Sequence, residues 1–187
     1  MQRAGPRAQA SEQRGARGRA VAALAVPALA ACAPALDWRE VRPPGAAVVA
    51  TMPCRPNVST RTVPLAGRPV RLTLLACKAD RMIWALAAAD AADPAQVGPA
   101  LVALRESTRQ NLEGQIVDAQ PVVVPGATPQ PAQSRVQVRG KRQDGSPARA
   151  EMVVFAHGTQ VFQAVVMGDN LPAGPVATFF ESLRAGA

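Results

Sequence analysis

The chain has 187 residues, 48% of them hydrophobic, with 3% aromatics, no Tyr and a net charge of +8. Half of that charge lies in the first nineteen residues, where five Arg face one Glu, so the rest carries +4, a mildly basic surface and not a nucleic-acid footprint. With so few aromatics there is no base-stacking platform either, and the apolar content suffices for a core although much of it is Ala, which buries little area per residue.

The leader carries Arg3, Arg7, Arg14, Arg17 and Arg19 against Glu12, and residues 20–31 (AVAALAVPALAA) are uncharged and mostly apolar. As a helix those twelve residues would span about 18 Å, short of the roughly 30 Å hydrocarbon core of a bilayer. Pro27 inside the run also opposes a persistent helix. A basic region followed by a short apolar run is the pattern of an export signal, and the absence of an Arg-Arg pair argues against the twin-arginine route. The run ends in Leu29-Ala30-Ala31-Cys32, which has the form of a lipobox, and the chain in this respect resembles bacterial lipoprotein precursors. The resemblance implies that Cys32 is acylated, that residues 1–31 are cleaved as a signal peptide, and that the protein is held in a lipid bilayer by several acyl chains, each buried methylene contributing about 0.8 kcal/mol. Because Ala33 and not Asp follows the cysteine, it also implies sorting to the outer membrane, facing the periplasm. The alternative is an ordinary secretory signal cut after Ala28-Leu29-Ala30, with Cys32 a plain thiol.

Residues 32–46 are expected to be the lipidated cysteine and a tether, and residues 47–187 one domain. Cys54 and Cys77 remain as an even pair, which in an exported protein reads as a disulfide closing a loop of about two dozen residues. Two free buried thiols are the alternative. A metal pair lacks ligands, since the chain has one His and no C-x-x-C.

In chain order, residues 47–52 (AVVATM) suit a strand and residues 59–65 a weaker one ending in the Ala66-Gly67 turn signal. Residues 70–78 (VRLTLLACK) alternate as a half-buried strand, and Ala79-Asp80 can turn the chain into a strand over 81–89 with Trp84. Asp93-Pro94-Ala95-Gln96 is a helix start, with Asp93 as cap and Pro94 in the first turn. Val97, Leu101, Leu104 and Leu112 then mark one helical face, and Gly114 a stop. Residues 116–124 suit an edge strand because Pro121 cannot donate to a ladder. Residues 125–133 form a Pro-rich loop, and 135–141 (RVQVRGK) a strand. Residues 148–156 and 159–167 form the firmest strand pair, joined at His157-Gly158. Pro175 opens a last helix in which Val176, Phe179, Phe180 and Leu183 share a face. Short links between strands predict an antiparallel sheet covered by two helices, an α+β domain.

The hairpin with a polar turn, the Leu171-Pro172 loop and the closing Phe179-Phe180-Glu181-Ser182-Leu183 resemble the C-terminal end of PsbP-like domains. That family implies an antiparallel α/β sandwich in a small exported or lumenal protein and carries no catalytic motif. It matches residues 47–185 in element order and the last forty or so in pattern.

No catalytic constellation emerges. The single His, His157, falls at a hairpin turn, and there is no G-x-S-x-G elbow. Asp90 and Asp93 are the nearest acidic pair, but Asp93 is accounted for as a cap and Asp90 by the loop before it. Residues 140–145 lack the spacing of a phosphate-binding P-loop, and no cofactor motif is present. Trp38 and Trp84 suit packing better than ligand stacking. The cluster Arg135, Arg139, Lys141, Arg142 and Arg149 reads either as a solvated sheet face and loop or as a basic patch for phosphorylated lipid heads, lipopolysaccharide or an acidic partner. Two functions follow as expectations: a non-catalytic envelope lipoprotein that binds a partner protein or an envelope component, or a small-ligand carrier or enzyme with a polar pocket between sheet and helices.

Overall fold

The computed structural model describes residues 36–186. The leader, the lipobox and Cys32 lie outside them.

The described chain is mostly antiparallel β-structure with two helices, an α+β domain. The strands are β1 (Arg39–Val41), β2 (Val48–Met52), β3 (Asn57–Leu65), β4 (Arg68–Ala79), β5 (Met82–Asp90), β6 (Gln115–Pro121), β7 (Ser134–Lys141), β8 (Pro147–His157), β9 (Gln160–Gly168) and β10 (Arg184–Ala185). Helix α1 (Pro94–Asn111) follows β5 and α2 (Ala173–Glu181) follows β9. Seven strands form one sheet in the order β3-β4-β5-β9-β8-β7-β6, and β1, β2 and β10 form a second in the order β1-β2-β10.

Local chemistry accounts for the hairpins. Ala66 (φ 49°) and Gly67 (φ 78°) both take the left-handed conformation between β3 and β4, as a two-residue turn with the twist of its strands requires. Between β4 and β5 the turn residues are Asp80 and Arg81 (φ 46° and 60°), one residue later than the expected Ala79-Asp80. The β8–β9 turn is shifted likewise. His157 and Gln160 are the last paired residues, so the loop is Gly158-Thr159, with Gly158 at φ 58° in the position where a left-handed residue is needed. Asp93 caps α1 by accepting from the Ala95 N–H at 2.9 Å, with Pro94 in the first turn. Helix α2 begins at Ala173, two residues before Pro175, and ends before Leu183, which is buried just beyond it.

Period-2 alternation divides the seven-stranded sheet between apolar clusters on its two faces, two of them under the helices and a third of Leu112, Val136, Val138 and Met152 toward β7. Toward α1, Ala87 and Ala89 of β5, Val154 and Ala156 of β8 and Val161 of β9 join Val97, Ala100, Leu101 and Leu104 of the helix. Toward α2, Trp84, Leu86, Phe155, Phe162 and Val166 join Val176, Phe179 and Phe180 of the helix, with Val48, Ala50 and Met52 of β2. Trp84 lies at the centre, edge-on to Trp38 (centroids 5.9 Å apart) and to Phe179 (5.6 Å).

Two short strands lie outside the expected ones. Within the expected tether, residues 39–41 form β1 and pair with β2, and the Asp37 N–H donates to Pro53 O at 2.8 Å. The C-terminal β10 pairs with the other edge of β2. The Ala185 N–H donates to Pro125 O, and Gly126 (φ 79°) sits so close to Ala185 O that a Cβ there would collide with it.

Candidate functional site

Cys54, just after β2, and Cys77 of β4 are joined as a disulfide with their Cα atoms 6.0 Å apart, within the span such a bond needs. Both are partly buried against the aromatic core, and Cys77 is the register partner of Trp84. The bond therefore ties the loop after the small sheet to the large one.

The residues weighed for catalysis are otherwise engaged. The Asp90 carboxylate accepts from the Ala92 N–H and Asp93 from the Ala95 N–H. His157 is half-buried and not a free turn residue: its Nδ1 lies 2.8 Å from Gly126 O, and its ring packs beside Gly186. Ser182 Oγ donates to Phe179 O and accepts from the Thr51 N–H. The interface of α1 with the sheet has one buried amide, Gln163, whose Nε2 donates to Leu104 O (2.8 Å) and Thr108 Oγ1 (3.0 Å). Among the described residues, no group of three or more His, Cys, Asp or Glu is placed to hold a metal ion, and no helix is long and apolar enough to cross a membrane.

The five cations of the β7–β8 region do not form one patch. Arg142 is bound into the hairpin tip, donating to Ser146 Oγ (3.1 Å) and Pro147 O (2.9 Å) and pairing with Asp169 at 2.5 Å. In the same tip Ser146 donates to Asp144 from both its hydroxyl and its N–H, which holds that carboxyl below its ordinary value. Arg135 pairs with the buried Glu151 at 2.5 Å and lies over the Phe180 ring, 5.1 Å from its centroid. Lys141, the last residue of β7, lines a separate cleft with Gln110, Glu113 and Arg142.

Arg139 and Arg149 are different. They are direct register partners on β7 and β8, which puts their Cβ atoms about 5 Å apart on the same face. Both line a polar groove of about 230 Å³. Its floor includes Gln137 and Glu151, and its sides Val117 of β6 and Leu171 of the loop after β9. Val117 sits at the point where the register of β6 against β7 shifts, and such a bulge re-aims a side chain. Glu151 is already paired with Arg135, so two guanidiniums face the groove with no carboxylate of their own: among the described residues neither Arg139 nor Arg149 makes an ion pair. Like charges directly opposite each other destabilise a strand pair.

Sequence alone grouped five cations by proximity and passed over Gln137, Glu151, Val117 and Leu171. The alternation Arg135-x-Gln137-x-Arg139 was visible in RVQVRGK, whereas the partner across β8 and the overhanging loop were not. No protein-family model matches this chain, and no curated protein matches it in sequence.

Proposed function

We propose that this protein is a lipid-anchored envelope protein whose domain binds an envelope component or a partner protein and catalyses no reaction. The observation that carries the reading is the joined Cys54–Cys77 pair. Disulfides persist in oxidising compartments outside the cytosol, where the basic leader, the short apolar run and the lipobox would send the chain. In this reading Cys32 is acylated after removal of residues 1–31, and the domain faces the periplasm from the outer membrane. Helices α1 and α2 cover opposite faces of the large sheet in the manner of a PsbP-like sandwich, and binding takes place on the exposed sheet surface. Apolar packing between α1 and the sheet, with its amide spent on the helix, supports binding on the outside over a ligand carried within.

Intact mass of the protein purified from bacterial membranes, before and after reduction and alkylation, tests this. The expected mass is that of a chain beginning at Cys32 plus acyl groups, with Cys54 and Cys77 alkylated only after reduction. An unlipidated chain that retains residues 1–31, with both thiols free, would overturn the reading.

A further inference from the structure

We propose that the groove between Arg139 and Arg149 is a binding site for a phosphate group, either free or carried by a lipid headgroup. This deepens the envelope-binding reading by naming the group that is bound and the two residues that hold it. Three features of the groove lead to it.

First, the two guanidiniums are cross-strand neighbours that repel each other in the free protein, and among the described residues no acid compensates them. An anion seated between them would turn that repulsion into two charge-assisted contacts. Second, the acid that lines the groove is neutralised, and Asp118, opposite Gln137 on β6, accepts from Gln120 and is not among the lining residues. Glu151 is held by Arg135, which is itself fixed over Phe180, so its carboxylate does not cancel the two cations. The groove therefore offers two positive charges. A phosphate monoester or inorganic phosphate, carrying about −1.5 to −2 at neutral pH, matches them more closely than a single carboxylate does. Third, the site is built on rigid elements. Gln137 supplies an amide on the same floor, and Val117 and Leu171 give it apolar sides, so that a headgroup can enter with the first carbons of its chain against them. The guanidinium fork suits phosphate oxygens in a way an ammonium would not.

Thermal unfolding of the full chain, followed through the buried Trp84, gives the first arm of the test, in sodium phosphate against sodium chloride at equal ionic strength. Phosphate at about ten times its Kd is expected to raise Tm by about 3–6 °C. The double variant Arg139→Gln/Arg149→Gln is expected to lose that rise. In chloride alone it should be at least as stable as the parent, because the like-charge contact is gone. Arg61→Gln/Arg71→Gln, at exposed sites on β3 and β4, removes the same two charges, is the matched charge control and should keep the rise. Either single Arg→Gln variant of the groove should weaken phosphate binding by about tenfold or more.

The second arm is cosedimentation with vesicles of phosphatidic acid in phosphatidylcholine, which present a phosphate monoester, or of phosphatidylcholine alone. All chains carry Cys32→Ser, so that no acyl group contributes, and the double variant is compared with the equally charged control, so that the basic leader and net charge cancel. A phosphate-dependent Tm rise lost only in the double variant identifies a site for free phosphate. No such rise, but phosphatidic acid binding that falls at least tenfold in the Arg139→Gln/Arg149→Gln variant and not in the charge control, identifies a headgroup site. If the double variant behaves as the charge control does in both arms, or if neither ligand binds, the proposal is wrong. Neither arm depends on lipidation, so failure here leaves the anchored-protein reading to its own mass measurement.

Discussion

The two faces of the large sheet are built from different residues. All six aromatic side chains of the protein, Trp38, Trp84, Phe155, Phe162, Phe179 and Phe180, lie in the core on the α2 side. The cluster under α1 is made of Ala, Val and Leu, and Met152 joins Leu112, Val136 and Val138 farther along the same face, with no aromatic ring. The difference follows from what each face must hold. One continuous amphipathic helix, α1, supplies its own apolar stripe, and small residues at Ala87, Ala89 and Ala100 let it approach the strands closely. The other face gathers pieces from distant parts of the chain: β1 and β2 from its start, β10 and α2 from its end. Short segments of that kind bring little area each, and large rings with edge-to-face contacts, each pair contributing about 0.5–1.5 kcal/mol beyond area burial, compensate. The aromatic packing stops at Phe180 and Arg135, and the same sheet surface runs on past them into the open groove of Arg139 and Arg149.

Truncation on each face gives the largest test of this contrast. Phe155→Ala should cost about 3–5 kcal/mol and Leu101→Ala about 2–5 kcal/mol in denaturant unfolding, both being fully buried. Lying in separate cores, the two should add within about 0.5 kcal/mol when combined. Phe155 and Phe162, with ring centroids 5.1 Å apart on one face, should instead show a coupling of about 0.5–1.5 kcal/mol. Strong coupling between Phe155 and Leu101 would mean that the two cores act as one.

A smaller effect is expected from the disulfide. Cys54→Ser/Cys77→Ser should lower stability by about 3 kcal/mol, the chain-entropy cost of releasing a loop of 23 residues. The bond fastens only the composite face. Hydrogen exchange in this serine variant should therefore rise in β1 and β2 and stay unchanged in α1. Equal acceleration in α1 would erase the distinction between the faces.

The smallest effect belongs to the exposed side of α1. Arg109 hydrogen-bonds Glu106 and, with a lesser opposing contribution from desolvation, holds its carboxyl below the ordinary 4.5. A depressed folded value means that the contact stabilises the protein above the ordinary pKa and that this is lost as pH falls through the folded value. An NMR titration should give a Glu106 midpoint below 4.5 that moves back up in Arg109→Gln, with little change in Tm because the pair is solvated. A midpoint unaffected by Arg109→Gln would show that the pair does not form in solution.

Much of the local structure was legible in the residues themselves. Asp93-Pro94 marks the start of α1, Ala66-Gly67 turns β3 into β4, and the spacing of Val97, Leu101 and Leu104 gives the buried stripe, because caps, turns and periodicity are fixed by neighbours a few positions apart. The expected disulfide was legible from the even pair Cys54 and Cys77 once the leader was read as an export signal. Partner choice between strands was not. β5 pairs with β9, more than seventy residues later, and β10 closes on β2 from the far end of the chain. Neither pairing leaves a mark in local sequence, because it is selected by which faces can be buried together. The basic cluster shows the same limit. Sequence placed five cations within fifteen residues, but only the register of β7 on β8 and the position of buried Glu151 decided that Arg135 and Arg142 are spent on internal partners while Arg139 and Arg149 face each other across an open groove.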